Sequence, residues 1–123
     1  MTKTAQALAE WFATFDLPVY LDSDVPDGAA LPYITIPLRD PEWRSKCPFQ
    51  ILIWYRTTSN LPVIQKADEI MAAVSEGVRI YLDGGGLLVL RADSDTPTEI
   101  MIDGDYRCAR VALTLNAYHL PGV

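Results

Sequence analysis

The stretch that decides the fold runs from Phe49 to Gly77, FQILIWYRTTSNLPVIQKADEIMAAVSEG, because its apolar period changes partway along. From Phe49 to Arg56 the period is two, the pattern of a strand. Phe49, Ile51, Ile53 and Tyr55 fall on one face and Gln50, Leu52, Trp54 and Arg56 on the other. The first is read as the core face, yet Leu52 and Trp54 make the second too apolar for plain solvent surface. Past Arg56 the period becomes helical. Ser59 or Asn60 can serve as N-cap, Pro62 suits the first turn, and Val63, Ile64, Ala67, Ile70, Met71 and Val74 form one stripe that closes at Gly77, read as the C-cap.

Upstream of this unit, Ala5, Leu8, Phe12 and Phe15 recur at helical spacing with Trp11 beside them, which predicts an amphipathic helix over Thr4 to Phe15. Leu17-Pro18 ends it. Pro18 to Leu21 reads as a short strand, Asp22 to Gly28 as a run of turn formers, and Tyr33 to Leu38 as a second strand with Pro37 near its end. Arg39 to Pro48 holds two prolines, three basic residues and Trp43 without either period, and is read as a loop.

Downstream, Val78 to Leu82 and Leu87 to Arg91 are strands joined by Asp83-Gly84-Gly85-Gly86, a hairpin connection. A turn over Asp93 to Thr98 leads to a short strand at Ile100 to Ile102. After Asp103-Gly104-Asp105 comes the longest strand, Tyr106 to His119. There Ala109, Val111, Leu113, Leu115 and Ala117 alternate with Cys108, Arg110, Ala112, Thr114 and Asn116, the pattern of a strand with one apolar face. Two helices set among strands predict an α+β fold, one largely antiparallel or mixed β-sheet with both helices packed on one face, as a single domain over residues 1–123.

Composition narrows the function. Sixteen acidic against ten basic residues give a net charge of -6, which opposes attraction to a phosphate backbone or an anionic membrane. Nucleic-acid and membrane partners are therefore not expected. No apolar run approaches the roughly 20 residues that span a bilayer, and the opening residues do not read as a signal peptide, so a soluble, cytosolic protein is expected. Cys47 and Cys108 lie far apart with no second pair, and His119 is the sole histidine. The cysteines are read as buried or half-buried free thiols, with neither a disulfide framework nor a metal site expected.

No group of residues converges on chemistry. Gly84 to Gly86 could cradle an anion only if a helix followed, and the next residues read as strand. Asp93 with Asp95, and Asp103 with Asp105, lack the further oxygen ligands of a calcium loop. No serine sits in a nucleophile elbow, and His119 would have to act as base from the end of the chain. The expectation is a non-enzyme with no catalytic residue, no cofactor and no metal. What stands out instead is aromatic and basic material suited to an interface: Arg39, Trp43, Arg44 and Lys46 in the loop, and Leu52 and Trp54 on the second face of their strand. The alternative places Trp43 back over the domain edge and packs Leu52 and Trp54 under the N-terminal helix.

With these elements in place the whole chain resembles the small tail terminator, or tail completion, proteins of long-tailed bacteriophages and prophages. The resemblance lies in the opening helix followed by Leu17-Pro18-Val19-Tyr20 and the loop Val25 to Leu31 leading into Pro32-Tyr33-Ile34-Thr35-Ile36. It extends to the strand Phe49 to Tyr55 with its following helix from Asn60, and to the closing strand Tyr106 to Leu113. It implies an α+β structural subunit that forms a ring, usually a hexamer, on the head-proximal end of the tail tube. Its partners would be other copies of itself, the tail tube protein and a head-tail connector protein, in the host cytoplasm during assembly and then in the virion tail. The acidic balance suits a ring through which DNA passes without adhering, given acidic groups at its lumen. Competing readings are a head-closure, connector or minor tail protein, a small ligand-binding domain or hydrolase, and a regulatory module for another protein.

Overall fold

The longest strand organises the fold. The computed structural model describes residues 3–37, 46–93 and 97–119. In order these form α1 (Lys3–Ala13), β1 (Val19–Leu21), β2 (Tyr33–Ile36), β3 (Lys46–Arg56), α2 (Leu61–Val74), β4 (Val78–Tyr81), β5 (Gly86–Ala92), β6 (Glu99–Asp103) and β7 (Tyr106–His119). The strands make one seven-stranded sheet in the order β1-β2-β3-β7-β5-β4, with β6 also paired to β7. Only β1 and β2 run parallel; every other pair is antiparallel. This is the mixed α+β sheet that the sequence predicts.

β3 lines one edge of β7 from the Lys46–Asn116 pair to the Arg56–Tyr106 pair. The other edge is shared. β6 occupies its first part, from Tyr106 to Arg110, and β5 its last, from Leu113 to His119. Since β4 lies beyond β5 and no described strand lies beyond β6, this side of the sheet is stepped.

Both helices bury the predicted stripes on one face. Leu8 and Phe12 of α1, and Val63, Ala67, Ile70 and Val74 of α2, share one apolar cluster with Ile34, Ile51, Ile53, Leu88, Leu90 and the odd-numbered residues Ala109 to Ala117 of β7. Phe12, Ile51, Ile53 and Ile70 are wholly inaccessible. Such side chains contribute about 1.5 to 3 kcal/mol each by leaving water.

Several expectations need correction. The loop read over Arg39 to Pro48 is shorter, since Lys46, Cys47 and Pro48 already belong to β3, opposite Asn116, Leu115 and Thr114. Pro48 is tolerated because β2 pairs with β3 only further along, at Leu52 to Trp54, so among the described residues no strand lies against that edge of β3 at Pro48. Leu38 and the rest of that loop, from Arg39 to Ser45, lie outside the described residues. β7 is not one-sided, because Cys108, Ala112 and Thr114 on its second face are also buried. These are small side chains on a central strand, shielded by longer neighbours such as Trp54 and Met101 flanking Cys108. The C-cap of α2 is Ser75, and Gly77 sits two residues beyond, where a φ of 85° suits glycine. The hairpin at Gly84 to Gly86 forms as expected, closed by the Leu82 amide donating to the Gly86 carbonyl at 2.8 Å.

Asn60 occupies the N-cap position, but its side chain makes no cap bond. The Ser59 hydroxyl accepts the Leu61 amide instead, at 3.2 Å. The Asn60 Oδ1 is engaged by buried Arg107, whose Nε donates to it at 2.7 Å. The same guanidinium donates to the carbonyls of Gly104 and Tyr106, and to Thr58 at 3.0 Å. Arg107 thus ties the start of α2 to the start of β7 through neutral oxygen acceptors. At the other side of α2, Lys66 donates to the Phe15 carbonyl at 2.8 Å and pairs with Glu69 at 3.0 Å, fixing the chain just past α1.

Arg107→Ala is expected to destabilise the protein by about 2 to 4 kcal/mol in urea unfolding, since it strips charge-assisted bonds from partly buried acceptors. Arg107→Lys is expected to recover only part of that loss, because an ammonium cannot reach the spread of acceptors that the planar guanidinium meets. Equal stability of all three proteins would contradict the clamp.

Candidate functional site

The helices leave the opposite face of the sheet uncovered among the described residues, and strand register assembles its side chains into rows. Tyr33, Trp54, Cys108 and Met101 form one row across β2, β3, β7 and β6. Thr35, Leu52, Arg110 and Glu99 form the next. Tyr20 of β1 stands beside Thr35 in register and packs edge-on against Tyr33, ring centroids 5.5 Å apart. At the far end, Arg56 and Tyr106 face each other, with the guanidinium 5.8 Å from the ring centroid.

Two ion pairs form on this face. Arg56 pairs with Asp105 at 3.0 Å, and Arg110 with Glu99 at 3.6 Å. The hydrogen bond from Arg56 holds the Asp105 carboxyl below its ordinary range and in return raises the Arg56 guanidinium. Trp54 donates its indole N–H to the Thr35 hydroxyl at 3.4 Å, which satisfies its one polar atom while leaving the ring part-exposed. The result is an aromatic and apolar surface carrying paired ions, a composition suited to burial against another protein. Beside it lies an open groove of about 550 Å³, lined by Asp22, Pro37, Leu52, Asp93, Arg110 and Ala112.

Of the six residues singled out from sequence, Leu52 and Trp54 stand side by side in β3 with their side chains on this face, both half-buried. They are not on the helix side of the sheet, where the alternative would put them; Ile51 and Ile53 hold that side of β3. Lys46 is the first residue of β3 rather than part of a loop. Arg39, Trp43 and Arg44 lie outside the described residues. Tyr20, Tyr33, Met101, Tyr106 and Arg110 join the surface without having been singled out. Their adjacency is made by cross-strand register between segments far apart in sequence, and the one local signal was the shared parity of Tyr106, Cys108 and Arg110.

The two cysteines are free, Cys47 half-buried and Cys108 buried, as the sequence predicts. Burial pushes the Cys108 thiol up to about 11. Among the described residues no three His, Cys, Asp or Glu side chains gather in a metal-binding arrangement, and no helix is long and apolar enough to cross a membrane. The chain matches no family model and no curated protein.

Cys108 generates a pH prediction. Its folded value lies above the ordinary thiol value near 9, so the folded state keeps a proton that the unfolded state loses, and stability falls as pH rises from about 9 to about 11. Thermal melts across that range should show this decline in the wild type and a flatter one in Cys108→Ala. At pH 8 the native protein should react quickly with one thiol equivalent of a disulfide reagent, at Cys47, and with two only after denaturation.

Proposed function

We propose that this protein is a structural subunit that caps the tube of a phage tail as a ring, stopping tube growth and providing the surface to which the head is joined. The observation that carries the reading is the sheet face left open opposite the helices. It gathers Tyr20, Tyr33, Leu52, Trp54, Met101 and Tyr106 on a chain whose sequence shows no convergent catalytic set. Aromatic and thioether side chains of this kind are enriched where proteins bury one another. The likeness in order of helices, strands and turns to tail terminator proteins supplies the kind of assembly. A cyclic ring needs two different complementary patches on each subunit, so the open face meets the tube or the adjoining subunit while other surfaces complete the ring. Its order follows the symmetry of the tube, a hexamer on a six-fold tube, and weak contacts between single subunits add up once a tube end templates them. The partners under this reading are other copies of the chain, the tail tube protein and the head-tail connector protein.

The test is to remove the protein from the phage or prophage that encodes it and to image the lysate. Headless tails of uncontrolled length are the expected result. Tails of normal length that fail to join heads would assign the chain to the connector instead, and intact virions would refute both roles. Supplying Leu52→Asp in place of the wild type should reproduce the headless tails, while circular dichroism of the purified variant shows the wild-type fold.

A further inference from the structure

The stepped side of the sheet is complementary to itself. The Asp105 carbonyl accepts the Thr57 amide at 2.6 Å, so it points toward β3. Backbone groups alternate sides along a strand, which directs those of Tyr106, Cys108 and Arg110 to β6 and pairs them with Asp103, Met101 and Glu99. The N–H and C=O groups of Ile100 and Ile102 therefore face outward, where no described strand lies. On β4, the bond from the Leu82 amide to the Gly86 carbonyl assigns Ile80 and Val78 to β5. Arg79 and Tyr81 thereby turn their backbone groups outward as well. Each edge thus offers two residues whose donors and acceptors bond no described residue, one edge where the sheet protrudes and one where it recedes.

We infer that two copies of this chain join along the stepped edge about a two-fold axis normal to the sheet, each β4 entering the recess beside the other copy's β6. Within one copy β4 runs with β7 and β6 against it, so the two-fold operation makes β4 parallel to the β6 it meets. A parallel ladder has each residue bond to the two that flank its opposite number. With Arg79 level with Met101 of the other copy, its N–H donates to the Ile100 carbonyl and its carbonyl accepts from the Ile102 amide. The Tyr81 N–H then donates to the Ile102 carbonyl. The operation repeats this set on the second copy.

The side chains fit the same register. Arg79 belongs to the open face and is exposed, with no ion pair among the described residues. There it falls between Glu99 and Asp103 of the other copy, both exposed on that same face. On the helix side, Val78 and Ile80 lie beside Ile100 and Ile102 of the other copy. Ile102 is 61% exposed in a single copy and would be covered. A strand from an unrelated protein would satisfy one recess and leave the protruding β4 unpaired, whereas a second copy fills both at once, as an isologous contact requires. The inference does not rest on the capping role. A two-fold pair is closed, so a ring on a tube would use other surfaces.

Sedimentation velocity of the full chain over a concentration series tests this. The wild type should pass from 13.7 kDa to a dimer of about 27 kDa, twice one chain. Arg79→Glu should weaken dimerisation at least roughly tenfold through like-charge contact, and adding Asp103→Arg to it should restore the dimer. Ile102→Pro removes an outward N–H that bonds no described residue, and should give a folded monomer by circular dichroism. If that variant fails to fold, the reversed charge pair decides. A wild type that stays monomeric at every concentration, or a dimer unaffected by Arg79→Glu, would overturn the inference. So would a mass series that goes directly to a larger ring.

Discussion

The hydrogen-bonding demand of the β7 backbone shapes the whole sheet. Its fourteen residues cross the middle of the sheet, and a buried extended backbone must find partners for its donors and acceptors along both edges. β3 satisfies one edge almost end to end. The other requires two strands, β5 and β6, because neither is long enough alone. From that division come the step in the sheet, the exposed edge of β6 and the separate position of the β4–β5 hairpin.

The same strand separates the two faces. Its odd-numbered residues from Ala109 to Ala117 anchor the apolar cluster under both helices. Its buried even-numbered residues, Cys108, Ala112 and Thr114, are small, and they let Trp54, Leu52 and Met101 from the flanking strands close over them with no second layer of helices among the described residues. An aromatic, half-buried surface is the consequence, and interaction is the use to which such a surface lends itself.

Attachment of the helices to this sheet combines apolar packing with two cationic ties. Arg107 carries its charge into a buried site whose hydrogen-bond acceptors are all neutral oxygens from the turn before β7 and the start of α2. Lys66 holds the carbonyl of Phe15 from the flank of α2. Each joins segments about fifty residues apart, so each fixes tertiary arrangement rather than local conformation.

Elements whose signal is local could be read from residue order alone. The change of period at Arg56 marks strand from helix, the glycines at Gly84 and Gly85 mark the hairpin, and the parity of Ala109 to Ala117 marks the core face. These follow from side-chain spacing and backbone sterics within a few residues. The remaining features arise from contacts between distant segments. That Pro48 sits in a strand depends on which edge of β3 is left unpaired, and that Leu52 and Trp54 point away from α1 depends on where the helices settle. That Arg107 is a clamp, that Tyr20, Tyr33, Met101 and Arg110 share a surface, and that Ile102 stands at an open edge all depend on pairing between strands distant in the chain. Such adjacency is set by register, and register is a property of two segments at once, which no single stretch of sequence contains.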